Sequence, residues 1–177
     1  MRNLYLLPAL AFLTLVGVLG WHLMHPAKNV HAAMMGEPLP GFALPYLSNN
    51  GSLSDNDFKQ EPALLHFFAS WCTSCVAESE VWHTLEKQTT IKRYAIAWND
   101  PPEKTRDWLK KYGNPFTAVA VDANGKFGVA LGLTGVPETL FIDQKGRIIW
   151  RWNQPLTADV VSETLLPLIQ SQQQENP

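Results

Sequence analysis

Cysteine is almost absent from this chain: its 177 residues include only two, Cys72 and Cys75. Both sit in one Cys-x-x-Cys, so they cannot staple distant parts of a fold, and a pair this close points to redox work instead of a structural framework. Charge is sparse and balanced. Lys and Arg total 14, Asp and Glu total 16, the net charge is −2, and neither sign runs in a block. That excludes the clustered basic face a nucleic-acid partner needs. Nor do the histidines build a metal centre. His22, His25, His31, His66 and His83 supply no second ligand pair to complete a zinc site with the cysteines. No internal repeat is visible, and the length suits one domain with a full core plus an appendage.

The appendage is N-terminal. After Met1-Arg2-Asn3, the stretch from Leu4 to Met24 contains no Asp, Glu, Lys or Arg. It is about 20 residues long, enough to cross a hydrocarbon core as a helix. Arg2 and the amino terminus precede it, which predicts a cytoplasmic N-terminus and an exported remainder, with Trp21 and His22 at the far interface. A cleaved signal peptide would have a shorter apolar region with a small-x-small site close behind it. Trp21-His22-Leu23-Met24-His25 follows instead, and Val30-His31-Ala32-Ala33 comes late, so the length favours a retained anchor.

From Glu37 onward strand and helix signals alternate. Phe42-Ala43-Leu44 between Pro40 and Pro45 is a short first edge strand, and Asp55 to Phe58 one helical turn. Ala63 to Ala69 is the strongest strand. It is nearly all apolar, which places it in the middle of a sheet covered on both faces. A helix over Cys72–Gln88 follows, then a strand over Tyr94–Trp98. A helix opened by Pro101-Pro102 ends at Tyr112-Gly113, with Glu103 in its first turn and Lys110-Lys111 in its last. A strand over Phe116–Val121, a short helix over Lys126–Leu133, and a hairpin of Thr139–Asp143 with Ile148–Trp152 come next. The last helix runs over Thr157–Gln170. Helical crossovers make the early strands parallel, and the hairpin adds an antiparallel part.

Trp71-Cys72-Thr73-Ser74-Cys75 falls where the central strand ends and a helix begins. Unpaired amides and the positive end of the helix dipole favour a thiolate there, and the thiolate is the attacking species in disulfide exchange. The three-residue spacing sets Cys75 one turn deeper on the same face. Cys72 is thus the expected nucleophile and Cys75 the resolving thiol; a static disulfide is the plain alternative. A second signal is Gly135-Val136-Pro137-Glu138-Thr139, just before the hairpin. Its proline cannot donate to a sheet ladder and belongs at an edge or tight turn.

Together with Gly36-Glu37-Pro38-Leu39-Pro40-Gly41-Phe42, Ala69-Ser70-Trp71-Cys72, Cys75-Val76-Ala77-Glu78, Trp108 to Phe116 and Phe141-Ile142-Asp143, these motifs resemble the membrane-anchored thioredoxin-like proteins of cytochrome c maturation, the DsbE/CcmG type. The resemblance implies an α/β thioredoxin-like fold. Its central mixed sheet has helices on both faces, an N-terminal extension, an inserted helix-strand segment and a transmembrane anchor helix. It divides the chain into a cytoplasmic N-terminus and signal-anchor (1–25), a linker (26–36), the thioredoxin-like domain (37–171) and a flexible tail (172–177). It also implies a single-pass protein of the bacterial inner membrane with its domain in the periplasm. Such a protein draws electrons from a membrane thiol transporter. It reduces the disulfide of apocytochrome c, directly or through a thioredoxin-like maturation subunit. No cofactor is implied beyond the Cys72–Cys75 disulfide, and no metal.

Position by position, the resemblance makes Pro137 a cis-proline facing the cysteines, with Val136 held open for an extended substrate strand. Glu78 and Glu138 match acidic residues around the family site, able to pass a proton to or from Cys75 or to raise thiol pKa values. Trp71, Thr73, Ser74, Val136 and Trp98 are the expected substrate contacts, with Asn99-Asp100 beside Trp98 lining the groove. Two positions depart from the family. Thr73 stands where a proline is usual, and His66 stands where a neutral polar residue is usual. His66 is either a proton acceptor for Cys75 or a hydrogen-bonded core histidine. Competing functions are a general membrane-tethered reductase and a non-catalytic holder of extended apocytochrome. A peroxidase lacks its Thr-x-x-Cys pattern here, and a copper chaperone its wider cysteine spacing.

Overall fold

A computed structural model of the chain describes residues 6–24, 34–48 and 50–174. The extreme N-terminus, most of the expected linker and the last three residues of the expected tail lie outside them. The first unit of the chain contains α1, Leu6–Met24, 19 residues with no acidic residue in its first turn. Its described apolar side chains, from Leu7 to Trp21, are exposed. Among the described residues no helix is long and apolar enough to cross a membrane, so the expected anchor is not shown.

The second unit begins at Met34. Its frame is a five-stranded sheet in the order β5-β4-β3-β6-β7. The strands are β3 (Ala63–Phe68), β4 (Lys92–Trp98), β5 (Ala118–Asp122), β6 (Glu138–Ile142) and β7 (Ile148–Trp152). β3, β4 and β5 are mutually parallel; β6 and β7 are antiparallel to their neighbours. Every residue of β3 is buried, as its two-faced apolar run requires. Each fully buried Leu or Phe there contributes about 1.5–3 kcal/mol. Leu64 and Phe68 pack on one face with Trp82, Trp108, Phe116, Leu165 and Ile169. Leu65 and Phe67 pack on the other with Phe58, Tyr94, Phe127, Leu131 and Leu140.

The first face is covered by α3 (Ser79–Gln88), α4 (Pro102–Tyr112) and the C-terminal helix, the second by α5 (Lys126–Ala130) and the N-terminal extension. The extension differs from its expected form. Phe42 is outside the strand, and β1 (Ala43–Pro45) pairs with β2 (Ser52–Ser54) in a separate two-stranded sheet. Leu53 of β2 is fully buried, and Asp55–Phe58 is a 3₁₀ turn. β5 starts only at Ala118, because Pro115 offers no amide and Asn114 Oδ1 takes the Phe116 amide instead.

Two helices also depart from the expected course. The expected Cys72–Gln88 helix is two: α2 (Thr73–Ala77) and α3, separated at Glu78. Glu78 sits at φ −88, ψ −5, and its buried carboxylate reaches across to the Leu156 amide at 2.7 Å. The C-terminal helix runs as α6 (Ala158–Val160), a π turn over Val161–Leu165 and α7 (Leu166–Gln174). Pro167 has no amide hydrogen for the ladder and lies two residues past the end of the π turn, which accommodates the missing bond.

The β6–β7 turn is pinned by Asp143. Burial pushes its carboxyl up. Bonds from the Arg147 backbone and side chain and the Lys145 amide outweigh that and hold it below the usual carboxylate range. α4 ends at Gly113 with φ +86, where a Cβ would lie 2.6 Å from His83 Nε2, the atom that contacts the Tyr112 carbonyl.

Candidate active site

Cys72 and Cys75 are joined in a disulfide at the C-terminal end of β3, the central strand. This is the crevice outside the carboxyl ends of parallel strands, where α/β sheets commonly place their sites. Cys72 is the N-cap of α2, and its sulfur accepts the Cys75 amide at 3.1 Å. The same amide can hold a negative sulfur after reduction. Both cysteines are buried, and Cys72, at 5% exposed, is the less buried of the two, with Cys75 at 1%. Ser74 Oγ lies 3.5 Å from the Cys72 sulfur, and Thr73, the other residue between the cysteines, is exposed.

The Val136-Pro137 peptide bond is cis, and the Val136 carbonyl stands 3.6 Å from the Cys72 sulfur. The proline loop therefore faces the disulfide across one van der Waals gap. With no proline amide to claim it, this short segment of backbone is the natural place for an extended chain to lie beside Cys72.

A buried polar set lies between β3, β6 and the break between α2 and α3. His66 is 2% exposed, its Nδ1 3.0 Å from Thr139 Oγ1 and its Nε2 3.0 Å from Glu78 Oε1. The Glu78 contact is one of distance alone, for Oε1 is not aligned as a hydrogen-bond acceptor. The other oxygen of Glu78 takes the Leu156 amide. The His66 ring also meets Trp82, Phe68 and Phe116, which share one cluster with Cys75. His66 thus joins β3, the break between α2 and α3, and β6 two residues past Pro137.

Glu138 is placed differently. Its register partner on β3 is Phe67, whereas Thr139 faces His66. Because paired residues share a face, Glu138 lies on the side of the sheet opposite Glu78. It is fully buried in an ion pair with Arg151, whose guanidinium also binds the carbonyls of Leu131 and Gly132 at 3.1 Å. The structure thus brings His66 and Glu78 together and keeps Glu138 apart from them.

On the open side, Trp71 is 55% exposed and donates its indole N–H to the Asn99 carbonyl at 3.1 Å. Its ring centroid lies 6.4 Å from that of half-buried Trp98, which donates to the Gly125 carbonyl. Gly128 leaves the space for Trp98: a Cβ there would lie 2.2 Å from the indole nitrogen. Asp100 does not line the groove. It is 1% exposed and accepts from the Ser70 amide, the Ser70 hydroxyl and Thr105. Sequence reasoning missed that link because Asp beside Pro-Pro reads as a loop residue, and the pairing with Ser70 spans 30 residues. Among the described residues, no group of three His, Cys, Asp or Glu is placed to hold a metal ion.

Chemically, a disulfide at a helix start, a facing backbone edge and an exposed aromatic suit two-step disulfide exchange with a polypeptide. Comparison with known proteins agrees. The Redoxin family profile matches residues 34–165. The thiol:disulfide interchange protein DsbE of Vibrio cholerae is 36% identical over 174 residues, covering 94% of both chains. That of Escherichia coli K12 is 34% identical with the same coverage, and that of Haemophilus influenzae 35% over 80% of this chain and 78% of its own. Among solved structures, a secreted Mycobacterium tuberculosis disulfide oxidoreductase homologous to E. coli DsbE aligns with TM-score 0.63 at 21% identity, covering 71% of this chain and 95% of that one. A thiol-disulfide oxidoreductase from Bacteroides fragilis aligns with TM-score 0.64 at 20%, covering 75% and 99%. The structural matches show the thioredoxin-like fold.

Proposed function

The chain belongs to the redoxin family, among the DsbE thiol:disulfide interchange proteins, and is a protein-disulfide oxidoreductase; from that premise we propose that it works as a membrane-anchored periplasmic reductant of apocytochrome c, or of a thioredoxin-like subunit that hands electrons on to it. The observation that carries the reading is the Cys72 sulfur at a helix start, 3.6 Å from the Val136 carbonyl and joined to the more deeply buried Cys75.

The cycle begins with both thiols reduced. The Cys72 thiolate attacks one sulfur of the client disulfide, forming a mixed disulfide and expelling the other client sulfur as a thiolate, which takes up a proton. Cys75 then gives up its proton and attacks the Cys72 sulfur. The second client thiol leaves, and the protein is left as the Cys72–Cys75 disulfide. A membrane thiol transporter returns two electrons and two protons. Cys75 is buried, and the His66–Glu78 pair, whose aromatic neighbours share its cluster, takes up its proton. Glu138, across the sheet and bound to Arg151, holds the Pro137 strand in place.

Anchoring rests on sequence. The charge-free stretch runs from Leu4 to Met24, and α1 within it is 19 residues long, rising about 28 Å against a hydrocarbon core of about 30 Å. A positive N-terminus before it leaves the domain on the far side.

Replacing Cys75 with Ser in the full chain stops the cycle at the mixed disulfide. Recovery of cytochrome c maturation components on Cys72 from cells supports the reading. Recovery of only unrelated exported proteins identifies a general reductase. A Cys72, Cys75 double replacement that still supports cytochrome maturation identifies a passive holder.

A further inference from the structure

An aspartate just before a helix ordinarily caps it. Asp100 precedes α4 and does not: the helix begins without a side-chain cap bond, at two prolines that carry no amide hydrogen. Its carboxylate instead joins Ser70, just past the end of β3, to Thr105 of α4. Oδ2 accepts the Ser70 amide at 2.9 Å and the Thr105 hydroxyl at 2.7 Å, and Oδ1 accepts the Ser70 hydroxyl at 2.6 Å. Burying a carboxylate is costly unless donors meet its oxygens, and two of the three donors here belong to the residue that enters the active-site turn. Its neighbour Asn99 adopts φ +48, an uncommon conformation for a residue with a side chain. In that conformation its carbonyl receives the Trp71 indole at 3.1 Å. Adjacent residues 99 and 100 thus grip adjacent residues 71 and 70.

We propose that Asp100 is a positioning residue for polypeptide substrates, which holds Trp71 over the approach to Cys72 by fixing Ser70. The sulfurs have supports of their own: the Cys72 amide closes the turn onto the Ala69 carbonyl at 3.1 Å, and the Cys72 sulfur is bound by the Cys75 amide. Trp71 is more than half exposed, and among the described residues its indole has one hydrogen bond, to the Asn99 carbonyl, and one ring contact, with the tilted Trp98. Loss of Asp100 therefore frees Trp71 before it moves the sulfur. Substrates large enough to lie on Trp71 feel the change, and substrates that meet only sulfur do not.

The inference rests on the exchange reaction at Cys72 proposed above. The test uses the reduced full chain in detergent with two probes: a synthetic peptide closed by a Cys-x-x-Cys disulfide, and the small disulfide dithionitrobenzoate. Asp100→Asn keeps the shape but turns one acceptor into a donor. It is expected to slow reaction with the peptide about tenfold or more, the scale of a misplaced contact, and to leave the small-disulfide rate unchanged. Trp71→Ala alone gives the same peptide defect, and Asp100→Asn adds nothing in that background, as expected of two residues acting as one unit. Ser70→Ala, which removes one of the bonds, gives a smaller defect of the same kind and stands in if Asp100→Asn does not fold. Equal peptide rates in folded Asp100→Asn and wild type overturn the proposal. So does equal slowing toward both probes, or a defect that adds to that of Trp71→Ala. A wild-type chain inert toward both disulfides refutes the exchange reading itself.

Discussion

Replacing His66 with Asn tests the buried set that it forms with Thr139 and Glu78. The imidazole bridges Thr139 at 3.0 Å and Glu78 at 3.0 Å, and packs on three aromatic rings, with centroids 4.6 Å (Trp82), 5.6 Å (Phe116) and 6.0 Å (Phe68) away. Asn can keep an atom near the Nδ1 position against Thr139 but is too short to approach Glu78 Oε1, which the imidazole meets by distance alone. Taking that polar neighbour from a buried carboxylate costs about 1–3 kcal/mol, and a lost ring contact about 0.5–1.5 kcal/mol. The sum is a destabilisation of about 3 kcal/mol, or about 9 °C in Tm for a domain of this size. Urea unfolding of the oxidised chain, with m unchanged, measures the first quantity. The second readout is functional. If His66 takes part in moving the Cys75 proton, the pH profile of exchange with a peptide disulfide shifts in the variant. A variant that unfolds within about 0.5 kcal/mol of wild type, the range of an ordinary surface change, refutes the packing argument. An unchanged pH profile removes His66 from the mechanism and leaves it a core histidine.

Arg151→Met takes the guanidinium from a fully buried carboxylate and from two carbonyls at the end of α5. It should cost about 4 kcal/mol in denaturant unfolding, and the double change with Glu138→Leu should recover most of that. Gly128→Ala places a methyl 2.2 Å from the Trp98 indole. Overpacking of about 1–3 kcal/mol outweighs the helix-propensity gain of about 1 kcal/mol, so the Tm falls and tryptophan emission changes, the latter suppressed in a Trp98→Phe background. Asp143→Asn loses charge-assisted bonds to Arg147 and Lys145. Because the folded carboxyl is held below its unfolded value, the stability it adds is present above about pH 4 and is lost as pH falls through the folded value. The variant is therefore less stable than wild type at pH 7, and the gap closes on acidification, as read from Tm against pH.

The β3 strand was legible because Ala63–Phe68 is apolar on both faces, and α4 because Pro101-Pro102, Glu103, Lys110-Lys111 and Gly113 mark both its ends. Of the β1–β2 hairpin only the first strand was; β2 was not, since its three residues carry no periodicity. Nor was the break at Glu78, whose cause is an amide 78 residues away. The same limit applies at the site. Cys72, Cys75 and Pro137 announce themselves by type and spacing. Asp100 and Arg151 act through partners that lie close only after the sheet has formed.

By itself, then, the sequence determined which atoms can do chemistry: two thiols three residues apart after a buried strand, and a proline ahead of a hairpin. Those are local facts, written in spacing and hydrophobic pattern. The tertiary structure decided what surrounds them. It set His66 against Glu78 on one face of the sheet, sent Glu138 to the other, and joined Asp100 to Ser70 as well as to Thr105 of α4. Whether a polar side chain reaches a sulfur, a cation or a turn depends on strand register and on contacts between residues far apart in the chain, and neither is encoded in any short stretch of it.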